Sequence, residues 1–324
     1  MKKLFTILTI FIACAASVSA QQTVFIGDAG YDSLDDAITA INEGSASGDI
    51  TLRADQTLAG RALVKKNMVI KGDGENITIT RNFENALFFG TSGGNLTLEN
   101  IILNCNDKKN NKAEIEAGNN HVTMTNVKIT GRNGTATDNQ TNASLIHAKP
   151  GRNLNLTNVT YEGEKKESTN GFDYYAVILR HETKNGTASN AKLNISGNYN
   201  IDIITEAPSN TITAKGLTAT SPIEITLGYT PENGQTIVSG TADTGMFRLT
   251  NQGYFLRPDS DNLVLTDTDP STGIEDILAG EENAIVNVYN LQGMLIKANV
   301  PRENATAGLA KGIYIIGGKK VAVH

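Results

Sequence analysis

The stretch VILRHET sets Arg180, His181 and Glu182 at the end of an apolar run, and a second histidine, His147, stands within the similar phrase SLIHA. A histidine or carboxylate beside a guanidinium is the pairing that proton abstraction needs, a base with a cation to hold the developing charge. The same residues serve equally as the solvated end of a strand, where charge protects an edge. A second set of candidates lies in three polar segments, Asn104–Lys112, Gly131–Asn142 and Glu162–Asp173. Their carboxylates, Asp107, Asp138 and Asp173, suit a sugar hydroxyl or a cation such as Ca²⁺. No other cofactor or metal is called for. For any one of these aspartates the plain alternative is a solvated loop with no ligand.

These candidates come from distant parts of the chain, so something regular must bring them together. The phrase NLTLENIIL from Asn95 returns as HVTMTNVKI from His121 and as NLNLTNVTY from Asn153. Without a gap, Ala86–Leu103 aligns with Ser144–Tyr161. An Asn or Gly stands four residues after an apolar position at Gly72, Asn100, Asn126, Asn158, Gly197 and Gly216. Gly and Asn are the residues that enter the left-handed backbone region at least cost. The flanking runs alternate with period two, so each copy reads as two short strands joined by a sharp bend. Bends that recur every few tens of residues predict a stacked solenoid whose coils satisfy one another's backbone. An antiparallel sandwich also has regular short strands, but it gives no reason for the fixed bend offset.

Stacked coils, about 4.8 Å apart, put His147 within reach of Arg180 or His181 in the next strand and gather the three polar segments on one side. At the start of the solenoid, Asp32–Gly44 places Leu34, Ala37, Ile38 and Ile41 on one helical face, which predicts a capping helix over the open end.

The ends of the chain differ from the middle. Lys2 and Lys3, an apolar core of about ten residues and SVSA before Gln21 read as a secretory signal peptide over 1–20. Cys14 in FIAC is the lipoprotein alternative to that cut. Removal of 1–20 takes two of 28 basic side chains and none of 34 acidic ones, leaving a net charge near −8. That acidity argues against nucleic acid or an anionic membrane as partner, since both attract clustered Lys and Arg. Cys105 is then the one cysteine left, so no disulfide frame holds the fold. No later apolar run is long enough for a transmembrane helix. After a linker over 270–284, residues 285–324 carry about four short strands with turns at Gln292-Gly293 and Gly317-Gly318, a small antiparallel β domain.

The repeated bends and capping helix over 21–269 resemble the right-handed parallel β-helix of the pectate-lyase-like superfamily. The resemblance implies an all-β solenoid and, in its enzymes, Ca²⁺-binding aspartates with an Arg base, or aspartates with a His. Inverting hydrolysis needs two carboxyls about 6.5–9.5 Å apart. No such phrase stands on a coil strand here, and Asp35-Asp36 falls in the expected helix. The phrases VYNLQGMLI and GLAKGIYIIGGKKVAVH are similar to C-terminal sorting domains of type IX secretion cargo in Bacteroidota. That resemblance implies delivery to the outer membrane or beyond, with the secretion machinery as partner. It departs from the family in lacking a PNP-like opening strand. The expectation is thus an exported binding or structural module, adhesin-like or meeting a polysaccharide or host ligand, and a lyase or hydrolase is the alternative.

Overall fold

The computed structural model describes residues 22–134, 144–164, 175–184, 187–269, 285–317 and 319–323. The signal-peptide region and the linker 270–284 lie outside them.

Each repeated phrase forms one bent strand: Leu96–Asn104, Val122–Thr130 and Asn153–Glu162. Along the first, Leu96, Leu98, Ile101 and Leu103 are buried. The alternation slips by one residue at Glu99-Asn100, so two consecutive side chains face outward. A left-handed residue reverses the pleat once, which lets both halves of the strand keep their apolar side in the core. The strands pair in parallel and in register, Leu96 with Val122, Val122 with Leu154 and Leu154 with Leu193. The core is therefore built of vertical stacks of like residues.

Around this run the long sheet extends in parallel from Ile50–Leu52 through Met68–Gly72 to Lys192–Asn198, Thr211–Thr218 and Thr236–Ser239. A second sheet of eight strands runs from Ala62–Val64 through Phe88–Gly90, Ile115–Ala117, Ile146–Ala148, Ala176–Leu179, Asp202–Thr205 and Ile223–Leu227 to Phe247–Leu249. It is parallel throughout. One apolar cluster, from Val24 to Leu265, fills the space between the sheets.

Both ends of the long sheet turn antiparallel, a feature the repeat did not predict. Val24–Ile26 pairs antiparallel with Ile50–Leu52 and with Ala29–Tyr31. At the other end Asn262–Thr266 pairs antiparallel with Thr236–Ser239 and Phe255–Asp259. A strand added in the opposite sense ends the coil series and occupies the edge that another chain would otherwise extend. The helix runs Leu34–Glu43, with the Ser33 hydroxyl accepting from the Asp36 N–H at 3.1 Å and Gly44 ending it at φ 82°. Its Leu34, Ala37, Ile38 and Ile41 are buried.

Residues 285–323 form a separate four-stranded antiparallel sheet in the order Leu295–Pro301, Ile285–Asn290, Gly312–Ile316, Lys319–Val323. It has its own small core of Val286, Val288, Ala305, Ile316 and Val321. The large apolar side chains exposed among the described residues, including Ile285, Met294, Leu295 and Ile313, all lie in this unit.

Candidate functional site

The predicted catalytic pairing comes together only in part. On the outer face of the eight-stranded sheet, Phe89, Glu116, His147 and Ile178 fall in one register row. Arg180 follows this row, and its Nε donates to His147 Nε2 at 3.2 Å. The guanidinium also pairs with Glu206, a carboxylate from the next coil that the sequence did not single out. Because Nε2 accepts, the neutral His147 ring carries its proton on Nδ1. His147 is 2% exposed. Burial first, then the cations Arg180 and Lys149, lower its pKa to about 3. A ring with so acidic a conjugate acid stays neutral through the neutral range and is a feeble proton acceptor. Arg180 has its countercharge already, and Lys149 meets Glu116 at 3.2 Å.

His181 and Glu182 leave the parallel sheet. Their strand, His181–Lys184, pairs antiparallel with Thr187–Asn190, with His181 opposite Asn190. The three loop aspartates are not brought together by anything described: Asp138 and Asp173 lie outside the described residues. Asp107 sits at φ 48° after Asn106 at φ 56°. Its N–H donates to the Gly131 carbonyl at 2.9 Å, and its own carbonyl accepts from Asn133 Nδ2 at 2.8 Å. Among the described residues no group of three His, Cys, Asp or Glu side chains is placed to hold a metal ion.

What holds the Asp107 loop is a buried charge network. Glu114, fully buried, lies between Arg81 and Arg132. One of its oxygens, Oε2, is 3.2 Å from Arg81 Nη1, a charge contact without hydrogen-bond alignment. Arg81 also donates to the carbonyls of Asn85 at 2.8 Å, Lys108 at 2.6 Å and Cys105 at 3.1 Å. Arg132 reaches the Lys112 carbonyl at 3.0 Å. Burial lowers the Arg81 pKa, against the pull of Glu114. Burial also holds the Cys105 thiol well above its usual range, so it is an unreactive apolar filler. Arg81 is legible in one respect: in TITR it follows Ile79 by two and so falls on the inward side.

The least committed polar groups lie along the bends. Asn100, Asn126 and Asn158 have φ of 54°, 54° and 53°. Asn126 Nδ2 donates to Asn100 Oδ1 at 2.9 Å, and Asn158 Nδ2 donates to Asn126 Oδ1 at 2.8 Å. The Asn198 N–H closes the ladder on Asn158 Oδ1 at 3.0 Å. Gly197 and Gly216 follow at φ 64° and 58°. A Cβ on Gly197 would stand 2.1 Å from Asn158 Oδ1, so glycine there makes room for the last rung. The register slips between Ile195 and Gly197, which sets Gly197 opposite Leu217.

One expectation about these positions needs correction. Gly72 is not left-handed; a Cβ there would lie 2.3 Å from the Asn100 carbonyl oxygen, so close approach is its reason. All four asparagines of the ladder are exposed on the outer surface.

There they line a groove of about 550 Å³. Ile101, Ile102, Val127, Lys128, Thr160 and, at one end, Glu75 and Asn76 also line it, and among the described residues no aromatic side chain does. Lys128 is tied to Glu162 at 2.8 Å. Asn126 and Asn158 each spend one of their two amide N–H donors on the rung before, while Asn100 enters the ladder through its side-chain oxygen and Asn198 through its backbone N–H. Beyond it, the same face continues in Asn155, Thr157, Asn194 and Ser196, with Asn194 donating to Asn155 at 2.8 Å.

No family model, no curated protein and no solved structure matches the chain.

Proposed function

We propose that this chain is an exported, non-catalytic binding module that takes carbohydrate into the ladder groove. The observation that carries the reading is the exposed amide ladder. It lines up hydrogen-bond donors from successive coils, and sugar hydroxyls are the polar groups that match neutral amides. The His147–Arg180–Glu206 cluster supports binding over catalysis, because its charges are satisfied among themselves and its base is weak. The resemblance to the pectate-lyase-like superfamily fits a carbohydrate ligand.

The four-stranded C-terminal unit serves, in this reading, as the type IX sorting tail that its sequence resembles. The apolar side chains exposed on it give the secretion machinery a surface to grip. The solenoid carries the cargo function, at the cell surface or outside it.

A glycan array with the purified chain lacking residues 1–20 tests the binding reading, with retention of at least one polysaccharide class expected. Binding to none of them overturns it. The second reading, a lyase or hydrolase, rests on the contact between His147 and Arg180. New reducing ends or unsaturated-product absorbance that disappear in His147→Ala establish that reading in place of ours. Delivery is tested by deleting 270–324 in the native host. The truncated protein is expected to stay in the periplasm, and normal surface levels overturn the sorting role.

A further inference from the structure

We infer that the groove selects a neutral, unbranched polymer lying along the solenoid axis, one sugar per coil. The inference rests on the carbohydrate reading above and adds the polymer's charge, direction and register.

Direction follows from the ladder. Asn100, Asn126, Asn158 and Asn198 belong to four successive coils joined rung to rung, and Gly72 and Asn76 of the coil before them border the same groove. Strands in a sheet are about 4.8 Å apart, so five coils give a track of roughly 19 Å. Only a ligand running across the strands meets every rung. A β-linked pyranose chain is extended and advances by close to one such spacing per ring. It therefore offers a hydroxyl to each successive amide. Lys128 and Thr160 stand in the groove wall on the coils of Asn126 and Asn158, so a branch on a ring bound there meets them.

Charge follows from the lining. Among the described residues, the charged side chains on the groove are Glu75 and Lys128. Lys128 already faces the Glu162 carboxylate at 2.8 Å, and Glu75 repels an acidic polymer at its end. A uronate chain would give up the hydration of one carboxylate per ring and meet no uncompensated cation among the described residues of the groove. A neutral ring loses only hydroxyl hydration, which the amide replaces.

The absence of an aromatic platform among the described residues sets the length dependence. Each rung contributes one exchange of hydrogen bonds with water and no stacking, so a single sugar is held weakly and affinity comes from repetition.

The test titrates the chain lacking residues 1–20 calorimetrically with β-1,4-linked neutral oligosaccharides, from disaccharide to heptasaccharide, and with oligogalacturonates of the same lengths. Affinity for the neutral series is expected to rise by roughly two- to tenfold per added sugar up to the pentasaccharide and then level off. The variant Asn126→Gly removes one rung while leaving a residue suited to the same left-handed backbone, as the natural Gly197 and Gly216 do. It is expected to weaken pentasaccharide binding by one such step, with its circular dichroism unchanged. Tighter binding of the uronates, affinity flat beyond the disaccharide, or pentasaccharide binding unaffected by Asn126→Gly each overturns the axial inference while leaving the carbohydrate reading intact. Failure to bind any polymer on the glycan array overturns both.

Discussion

Replacing Asn126 by valine is expected to cost about 2–3 kcal/mol, from two sources that a second variant separates. The backbone there is left-handed, at φ 54°. An L-residue with a branched Cβ pays roughly 1–2 kcal/mol to sit in that region, a strain asparagine largely escapes. The side chain also donates to Asn100 and accepts from Asn158. Both bonds are at the surface, so each is worth about 0.5 kcal/mol, the low end for an intramolecular hydrogen bond. Asn126→Gly loses the same two bonds without the strain and is expected to cost about 1 kcal/mol, with some added loss from unfolded-chain freedom. For a domain of this size each kcal/mol moves the thermal midpoint by roughly 2–4 °C. Midpoints followed by circular dichroism, with urea titration alongside, read the difference. A valine variant as stable as the glycine variant would refute the strain argument. A glycine variant as stable as wild type would show that the ladder bonds contribute nothing to stability.

Glu114→Gln leaves two buried guanidiniums without a countercharge and is expected to destabilise the solenoid by about 3–5 kcal/mol, against which a change under 1 kcal/mol in urea titration would count decisively. His147 stays neutral in the fold and charges in the unfolded chain, so the unfolded state binds the extra proton as pH falls below about 6.5. Its contribution to stability is complete above that pH, falls by about 2 kcal/mol by pH 5, and continues to fall until the folded-state value of about 3. His147→Gln is expected to flatten this part of the stability profile, and an unchanged slope would mean the histidine is not held neutral. Polygalacturonate, alginate and chondroitin are expected to remain uncleaved by the purified protein, with or without Ca²⁺, as followed by product absorbance and reducing-end assay. Removal of 270–324 is expected to leave the far-ultraviolet circular dichroism of the solenoid and its thermal midpoint in place; loss of the cooperative transition would show that the two units fold together.

The residue order by itself determined the features that depend on neighbours along the chain. The bends at Asn100, Asn126 and Asn158 are legible because the left-handed conformation, the residue that tolerates it and the flanking alternation all fall within nine residues. The capping helix is legible for the same reason, with Ser33, the apolar face and Gly44 in one short segment. The separate antiparallel sheet after residue 285 showed in its change of strand and turn pattern. Tertiary structure alone decided what depends on contacts between coils. Glu206 closes on Arg180 from 26 residues away, and Glu114 meets Arg81 and Arg132 from coils on either side. Charge pairs of that kind have no period, so no repeat announces them. Which way the ladder amides face, outward into a groove, follows from how both halves of each strand pack their apolar side against the opposite sheet. The antiparallel ends arise because an edge strand has only one neighbour and can pair in either sense. A periodic chain encodes its coils locally, and burial between the coils settles the rest.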